Sequence, residues 1–131
     1  MIKFFQKRLK SFKNALIGWW YVIRTQHNAW IHAVATVLVV LVGLWIGLST
    51  WDWAVIIFVI AVVWTAEFLN TALEIVVDLA SPNLHPLARV GKDVGAAAVL
   101  IAALSSVLIG LLIMGKPFIE KVQYTWHLLF K

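Results

Sequence analysis

Three long runs of apolar residues constrain this chain more than any other feature. Residues 29–48, 53–66 and 94–114 contain no charged side chain, and the second run continues without a helix breaker to residue 80. A helix that crosses the ~30 Å hydrocarbon core of a bilayer needs about 20 such residues. With 63% hydrophobic residues in a chain of 131, there is too little interior to hide this surface from water. The sequence therefore predicts an all-α integral membrane protein with spans at 29–48, 53–80 and 94–114, in a single domain of residues 1–131.

The two ends of the chain have a different character. Large apolar residues in the first 28 positions recur every three or four residues among basic ones, the pattern of an amphipathic helix in the membrane interface. A solvated basic tail is the alternative, but so many large apolar side chains at helical spacing disfavour it. Lys116-Pro117 is expected to end the third span. Residues 117–131 are expected to form a second interfacial segment.

The net charge of +5 is compatible with nucleic-acid binding in principle. In so apolar a chain it is better explained by cytoplasmic segments that face anionic lipid, so no nucleic-acid partner is expected. Cations are concentrated before the first span and between the second and third spans, which places both regions in the cytoplasm. Three lysines in the C-terminal tail argue mildly against this orientation. The absence of cysteine excludes disulfides and thiolate chemistry.

The second span carries a narrow polar stripe. At 3.6 residues per turn, its polar side chains fall within an arc of about 100° and extend along ~16 Å of helix. The stripe consists of Glu67, Asn70, Thr71, Glu74 and Asp78. Acidic residues at membrane depth cost free energy and usually mark function. Three carboxylates in one row also repel one another unless a divalent cation binds or one of them keeps a proton.

A carboxylate that can take up a proton near neutral pH, as burial in a partly dry site allows, is suited to general base catalysis. The pattern alone also permits a structural polar network, an ion or proton transporter with a carboxylate relay, or a non-catalytic scaffold. A second cluster, Lys92-Asp93, lies at the cytoplasmic start of the third span. Lysine neutralises phosphate oxygens, and aspartate orients a lysine or holds a metal. His85 lies in the loop between these two regions, and the other histidines have no metal-ligand spacing.

The spacing E-x-x-N-x-x-x-E-x-x-x-D from Glu67 to Asp78, followed by H-P-L-A-R-V-G-K-D at residues 85–93, resembles the prokaryotic diacylglycerol kinase family, which includes undecaprenol kinases. The resemblance covers residues 5–114. It implies a homotrimeric kinase of the bacterial cell membrane, with an N-terminal surface helix and three transmembrane helices in each chain. Such an enzyme transfers the γ-phosphate of MgATP to the hydroxyl of a membrane lipid at the cytoplasmic side.

The resemblance also implies residue roles. Glu67 corresponds to the catalytic base, and Glu67 with Asn70 to the lipid-binding residues. Glu74 corresponds to a ligand of both Mg²⁺ and ATP. The remaining positions implied to contact ATP are Lys7, Asn83, Leu84, His85, Lys92 and Asp93.

One position departs from the family pattern. Gln26 stands where the family commonly has a metal-binding glutamate, and an amide can ligate Mg²⁺ only through its neutral carbonyl oxygen. Gln26 is therefore expected to bind the metal weakly, through water, or not at all. The segment 81–88 is closer to the undecaprenol kinase branch than to the branch acting on diacylglycerol, so undecaprenol is the expected substrate and diacylglycerol the alternative.

Overall fold

The computed structural model describes residues 1–83 and 85–130, apart from the side chain of Ile2. Within these residues the chain consists of helices α1 (Ile2–Thr25), α2 (His27–Ile46), α3 (Thr50–Ala80) and α4 (Pro86–Leu129). Helices α2, α3 and α4 are each long and apolar enough to cross a membrane. The predictions of an all-helical fold and of an integral membrane protein with three spanning helices are confirmed.

Local chemistry sets the breaks between the first three helices. Gln26 adopts an extended conformation and separates α1 from α2, two residues before the expected boundary. Gly47 ends α2 in the left-handed region, at φ 77°, where a side chain would be strained. Ser49 then begins α3 through a capping box with Asp52, in which each side chain bonds the other residue's backbone N–H.

Helix α4 differs from the sequence expectation at both ends. It begins at Pro86, where the His85 ring accepts a hydrogen bond from the Leu87 N–H. The helix does not stop at Lys116-Pro117 but continues through Pro117 to Leu129, and the end of the membrane span at this point stays a prediction. The residues beyond the proline are supported from outside the helix: the Phe118 ring contacts Trp45 at the end of α2, with ring centroids 5.8 Å apart. Whether residues 117–131 lie in an interface stays a prediction.

Helix α3 is the centre of the fold and is packed against by α1, α2 and α4. Half of the buried residues in the described part of the chain belong to it, including Ile56, Val59 and Val63. Helix α1 docks through Trp19, which stacks on Trp64 at 5.2 Å between ring centroids and also lies against Phe68. The remaining faces of the spanning helices expose large apolar side chains. Such surfaces are stable in lipid and costly in water.

Candidate functional site

The polar stripe of α3 runs from a buried end to an exposed end. At the buried end, Glu67, Asn70 and Thr71 are 1%, 7% and 2% exposed. Glu74 is half-buried, and Asp78 is exposed. All five predicted residues thus lie on one face of one helix, and the polarity of their surroundings changes steadily along it.

A glycine of α4 creates the space for the buried end. Gly95 lies directly against Asn70, and a methyl group added at Gly95 would overlap the Asn70 Oδ1 atom and crowd Leu73. Small residues let two membrane helices approach closely. The small-residue run at the start of the third span is therefore what allows the polar stripe to be covered.

Glu74 lies between the buried and the exposed end of the stripe, and its carboxylate accepts hydrogen bonds from two amide side chains. Its Oε1 accepts a hydrogen bond from Asn70 Nδ2 at 3.2 Å, and its Oε2 accepts one from Gln26 Nε2 at 3.4 Å. Gln26 reaches this point because it occupies the break between α1 and α2. Two amides therefore surround the carboxylate, and no lysine, arginine or histidine forms an ion pair with it in the part of the chain that the structure describes.

The oxygen atoms of Glu74 and Gln26 could be part of a metal site that substrate phosphates complete, but not of a site built from protein side chains alone. No three acidic or histidine side chains of the described residues lie close enough together to hold a metal ion by themselves. Magnesium, however, commonly takes one or two carboxylates from the protein and fills its remaining positions with water and substrate phosphates. Glu74, with the Gln26 amide turned to present its oxygen, matches that second arrangement. The assignment of nitrogen and oxygen in such an amide rests on its hydrogen bonds.

Beyond Glu74, the stripe opens into a groove of about 910 Å³ between the end of α3 and the start of α4. Lys92 Nζ lies 2.9 Å and 3.1 Å from the two carboxylate oxygens of Asp78. Lys92 is thus oriented by Asp78 of the facing helix and not by its neighbour Asp93. The polar and charged residues that line this exposed groove are Asp78, Ser81, Asn83, His85, Arg89, Lys92 and Asp93.

Most of the residues implied to contact a nucleotide meet in this groove. Asn83, His85, Lys92 and Asp93 line it together, and Leu84 lies outside the described residues. Lys7 does not join them. It precedes Gln26 by 19 positions of the sequence, or about 28 Å along a helix. A single chain therefore leaves Lys7 far from Glu74.

An apolar groove of about 880 Å³ separates α1 from the other side of α3. Trp19, Val22, Trp64 and Phe68 line its walls, and Thr71 of the buried end contributes to it as well. The buried carboxylate end of the stripe thus adjoins a space suited to hydrocarbon, while the other end opens to a charged groove.

Two residues escaped the sequence reasoning. Arg89 lines the exposed groove, and its position three residues before Lys92 on a helix was a usable signal. His32 lies beside Glu67, with 3.9 Å between Nε2 and Oε2. No sequence signal places this histidine, because the contact joins two helices and depends on how they pack.

Comparison with known proteins agrees with this geometry. Residues 13–114 match the family described as prokaryotic diacylglycerol kinase. The undecaprenol kinase of Bacillus subtilis is 42% identical over 104 residues, covering 79% of this chain and 85% of that protein. The diacylglycerol kinase of Synechocystis is 38% identical over 113 residues, covering 86% and 65%. That of Escherichia coli K12 is 33% identical over 85 residues, covering 65% and 70%.

A buried carboxylate, on a chain with three helices able to cross a membrane, defines a membrane protein with a polar site among its spanning helices. The chain belongs to the prokaryotic diacylglycerol kinase family and is a lipid kinase. Its phosphate donor is accordingly a nucleotide. Membership of this family favours the kinase interpretation over the transporter and the scaffold that the residue pattern left open. Lys7 lies outside the matched residues.

Proposed function

We propose that this protein transfers the γ-phosphate of MgATP to the hydroxyl of undecaprenol or a related membrane lipid alcohol. The observation that carries the proposal is the two-ended site. At the buried end, the carboxylate Glu67 lies one helical turn from Thr71, which lines the apolar groove between α1 and α3. The same stripe leads through Glu74 to an exposed groove that contains His85, Arg89 and Lys92. The apolar groove suits the hydrocarbon chain of a lipid alcohol, and the charged groove suits the phosphates of a nucleotide.

Glu67 acts as the general base in this proposal. The lipid hydroxyl oxygen attacks the γ-phosphorus and forms the new O–P bond, and its proton passes to the Glu67 carboxylate. The bond between the γ-phosphorus and the bridging oxygen breaks, and ADP leaves with that oxygen. A positioned base contributes about 10²- to 10⁴-fold to such a step. Asn70, which is buried between Glu67 and Glu74, orients the base or the hydroxyl.

Glu74, with Gln26, would hold Mg²⁺ together with the nucleotide phosphates. The metal supplies neutralisation of phosphate charge, which is a large part of phosphoryl-transfer catalysis. Lys92 and His85 contribute to ATP binding from the exposed groove, together with Asn83, Leu84 and Asp93. Asp78 keeps Lys92 in position through the ion pair between them. Lys7 remains a prediction for ATP binding, and in the proposed assembly a neighbouring copy brings it to a nucleotide.

The proposal includes a place in the membrane and an assembly. Helix α1 lies on the cytoplasmic surface as an amphipathic helix, and the exposed groove opens to the cytoplasm. This orientation follows from the cations of α1 and of the region around Lys92. The assembly is a homotrimer, for which the extensive exposed apolar faces of the spanning helices leave room. Cross-linking in bilayers distinguishes a trimer from a monomer.

Undecaprenol is favoured as the substrate by the similarity to the Bacillus subtilis undecaprenol kinase along most of both chains. Diacylglycerol is the second candidate, since the relatives from Synechocystis and Escherichia coli are diacylglycerol kinases. Both candidates use the same hydroxyl chemistry.

The test is transfer of label from γ-labelled ATP to lipid in proteoliposomes that contain undecaprenol, shorter polyprenols or diacylglycerol. The proposal expects the highest turnover with undecaprenol and a loss of about 10²-fold or more in Glu67→Gln. Higher turnover with diacylglycerol would replace the substrate assignment. Wild-type turnover in Glu67→Gln would refute the assignment of the base, and no labelled lipid with any alcohol would refute the proposal itself.

A further inference from the structure

In the described part of the chain, the one side chain that can pair with the unsatisfied Oε2 atom of the buried Glu67 is a histidine on another helix. His32 of α2 points its Nε2 atom at Glu67 Oε2, 3.9 Å away. Both atoms are buried, and neither has a hydrogen-bond partner within residues 1–83 and 85–130. Polar atoms that are removed from water are nearly always paired in native proteins. Here the histidine nitrogen can donate a hydrogen bond and the carboxylate oxygen can accept it, so each atom can satisfy the other.

The surroundings hold the histidine ring in this position. Trp64 of α3 donates its indole N–H to Thr36 Oγ1 at 3.2 Å, and Thr36 donates to the His32 carbonyl oxygen at 2.7 Å. The edge of the His32 ring also lies against Trp64, with ring centroids 6.4 Å apart. The backbone at His32 is thereby tied to the helix that carries Glu67. The His32 backbone is held through Thr36, and its ring rests against Trp64, so the imidazole faces the Glu67 carboxylate.

The distance of 3.9 Å is longer than the ~2.7–3.2 Å of a hydrogen bond. Hydrogen bonds between catalytic groups are often long without substrate and shorten when the reacting complex forms. We propose that His32 is a positioning residue that donates its Nε2–H to Glu67 Oε2. The donated bond stabilises the ionised carboxylate and leaves Oε1 to receive the proton of the lipid hydroxyl. This inference rests on the proposed role of Glu67 as the base.

A histidine that only fills space between α2 and α3 is the competing interpretation. The two differ in whether the effect of His32 depends on the carboxylate. If His32 acts through Glu67, its loss matters only while Glu67 can ionise. If His32 only packs, its loss has the same effect whatever stands at position 67.

The first experiment is a double-mutant cycle of lipid phosphorylation in bilayers, with His32→Ala, His32→Gln and Glu67→Gln. In the wild-type background, His32→Ala is expected to lower kcat by about 10- to 100-fold, the loss typical when a group that orients a functional side chain is removed. KM for ATP is expected to stay unchanged. His32→Gln keeps an N–H donor and is expected to recover part of kcat. In the Glu67→Gln background, His32→Ala is expected to change kcat by less than about twofold, because coupled residues are not additive.

Equal losses in both backgrounds would overturn the inference, as would wild-type kcat in His32→Ala. His27→Gln is the matched control, because His27 is an exposed histidine at the start of the same helix, and its kcat should equal that of wild type. Failure of the proposed function is recognised separately: the wild-type protein then labels no lipid alcohol at all.

The second experiment does not depend on turnover. Nitrogen NMR of histidine-labelled protein in bilayers, with the His32 signal assigned by its loss in His32→Gln, reports which ring nitrogen is protonated. The inference expects the proton on Nε2 and a shift of that nitrogen's resonance in Glu67→Gln. A proton on Nδ1, or an Nε2 resonance that does not respond to Glu67→Gln, would overturn it. This measurement also decides the question if His32→Ala fails to fold.

Discussion

The acids at the two ends of the polar stripe on α3 differ in their exposure to solvent and in the charge of their neighbours, although they lie on one helix roughly 16 Å apart. At the buried end, Glu67 is 1% exposed, and among residues 1–83 and 85–130 its Oε2 atom has only the His32 nitrogen, at 3.9 Å, as a potential partner. At the exposed end, the side chain of Asp78 is 65% exposed and is already paired with Lys92. Position along the helix thus decides whether an acid is left without a cation or is neutralised by one.

The difference has a physical reason with consequences for function. A charge in water loses little when its partner is removed, because solvent replaces the contact. A buried polar group has no such replacement, and its protonation and orientation depend on a few neighbours. We therefore expect substitutions around Glu67 and Glu74 to change the chemical step strongly, and substitutions in the exposed groove to change mainly nucleotide affinity. Four predictions test this division.

The largest effect is expected at the residue where the two ends meet. Glu74→Gln keeps the shape of the side chain but removes the charge that offsets a metal ion. Since metal stabilisation of a transition state amounts to several kcal/mol, we expect turnover to fall by about 10²-fold or more. Turnover measured against Mg²⁺ concentration checks this, with Glu120→Gln of α4, an exposed acid, as the control. A Mg²⁺ curve unchanged from wild type would exclude Glu74 as a metal ligand.

The next largest effect is expected from Gly95→Ala at the buried end. The added methyl group overlaps the Asn70 Oδ1 atom, so the Asn70 side chain has to shift from the position in which it donates a hydrogen bond to Glu74. Overpacking of this kind costs about 1–3 kcal/mol, and turnover is expected to fall by about tenfold or more. The measurements are the thermal midpoint and the turnover of lipid phosphorylation.

Gly91→Ala provides the matched control for Gly95→Ala. A methyl group at Gly91 has its nearest neighbour, the Val77 Cγ2 atom, at 4.0 Å. This is an ordinary contact, so we expect stability and turnover close to those of wild type. Equal losses in both variants would mean that the buried end does not depend on close contact between α3 and α4.

A smaller and different effect is expected in the exposed groove. Lys92→Ala removes the cation that Asp78 holds at 2.9 Å, and we expect KM for ATP to rise by about tenfold, or ~1.4 kcal/mol of binding free energy. The thermal midpoint should not change, because the ion pair is exposed to solvent. Lys116→Ala, at a distant exposed position of α4, should leave KM unchanged. A fall in kcat without a change in KM would instead assign Lys92 to the chemical step.

The smallest effect is expected from Gln26→Glu, which replaces the amide near Glu74 by a carboxylate. Without metal the two acids repel each other, and with metal they act together as ligands. We expect the Mg²⁺ concentration for half-maximal turnover to fall by about threefold, or less than ~1.4 kcal/mol. Gln6→Glu adds the same charge to an exposed position of α1 and should leave this concentration unchanged. A rise in the Mg²⁺ requirement would remove Gln26 from the metal site.

Much of the fold was predictable because it depends on local rules. The lengths of the uncharged apolar runs predicted the spanning helices. Helical periodicity placed five polar residues on one face: Glu67, Asn70, Thr71, Glu74 and Asp78. The continuation of the last helix through Pro117 to Leu129 was not predicted. A proline only removes one backbone hydrogen bond and disturbs the preceding turn. Whether the helix stops there depends on contacts such as that of Phe118 with Trp45, which no local rule contains.

The positions of site residues on a single helix were predictable, but the contacts between residues on different helices were not. Residues on α3 could be assigned to one stripe, and the motif pointed to Lys92 and Asp93 on the same side of the membrane. The contact of Gln26 with Glu74, the pairing of Lys92 with Asp78 and the approach of His32 to Glu67 join residues from 14 to 48 positions apart. Such contacts depend on the crossing of helices, which sequence periodicity does not determine.

By itself, the sequence determined that this chain resides in a membrane, that one helix carries a row of acids, and which family motif those acids form. Hydrophobicity and helical spacing suffice for this, because each is a property of residues near one another in the chain. Only the tertiary structure decided which acid is buried and which is paired. That outcome depends on Gly95 letting α4 approach Asn70, and on α2 bringing His32 beside Glu67. The burial of a charge and the identity of its neighbours are properties of the packed helices.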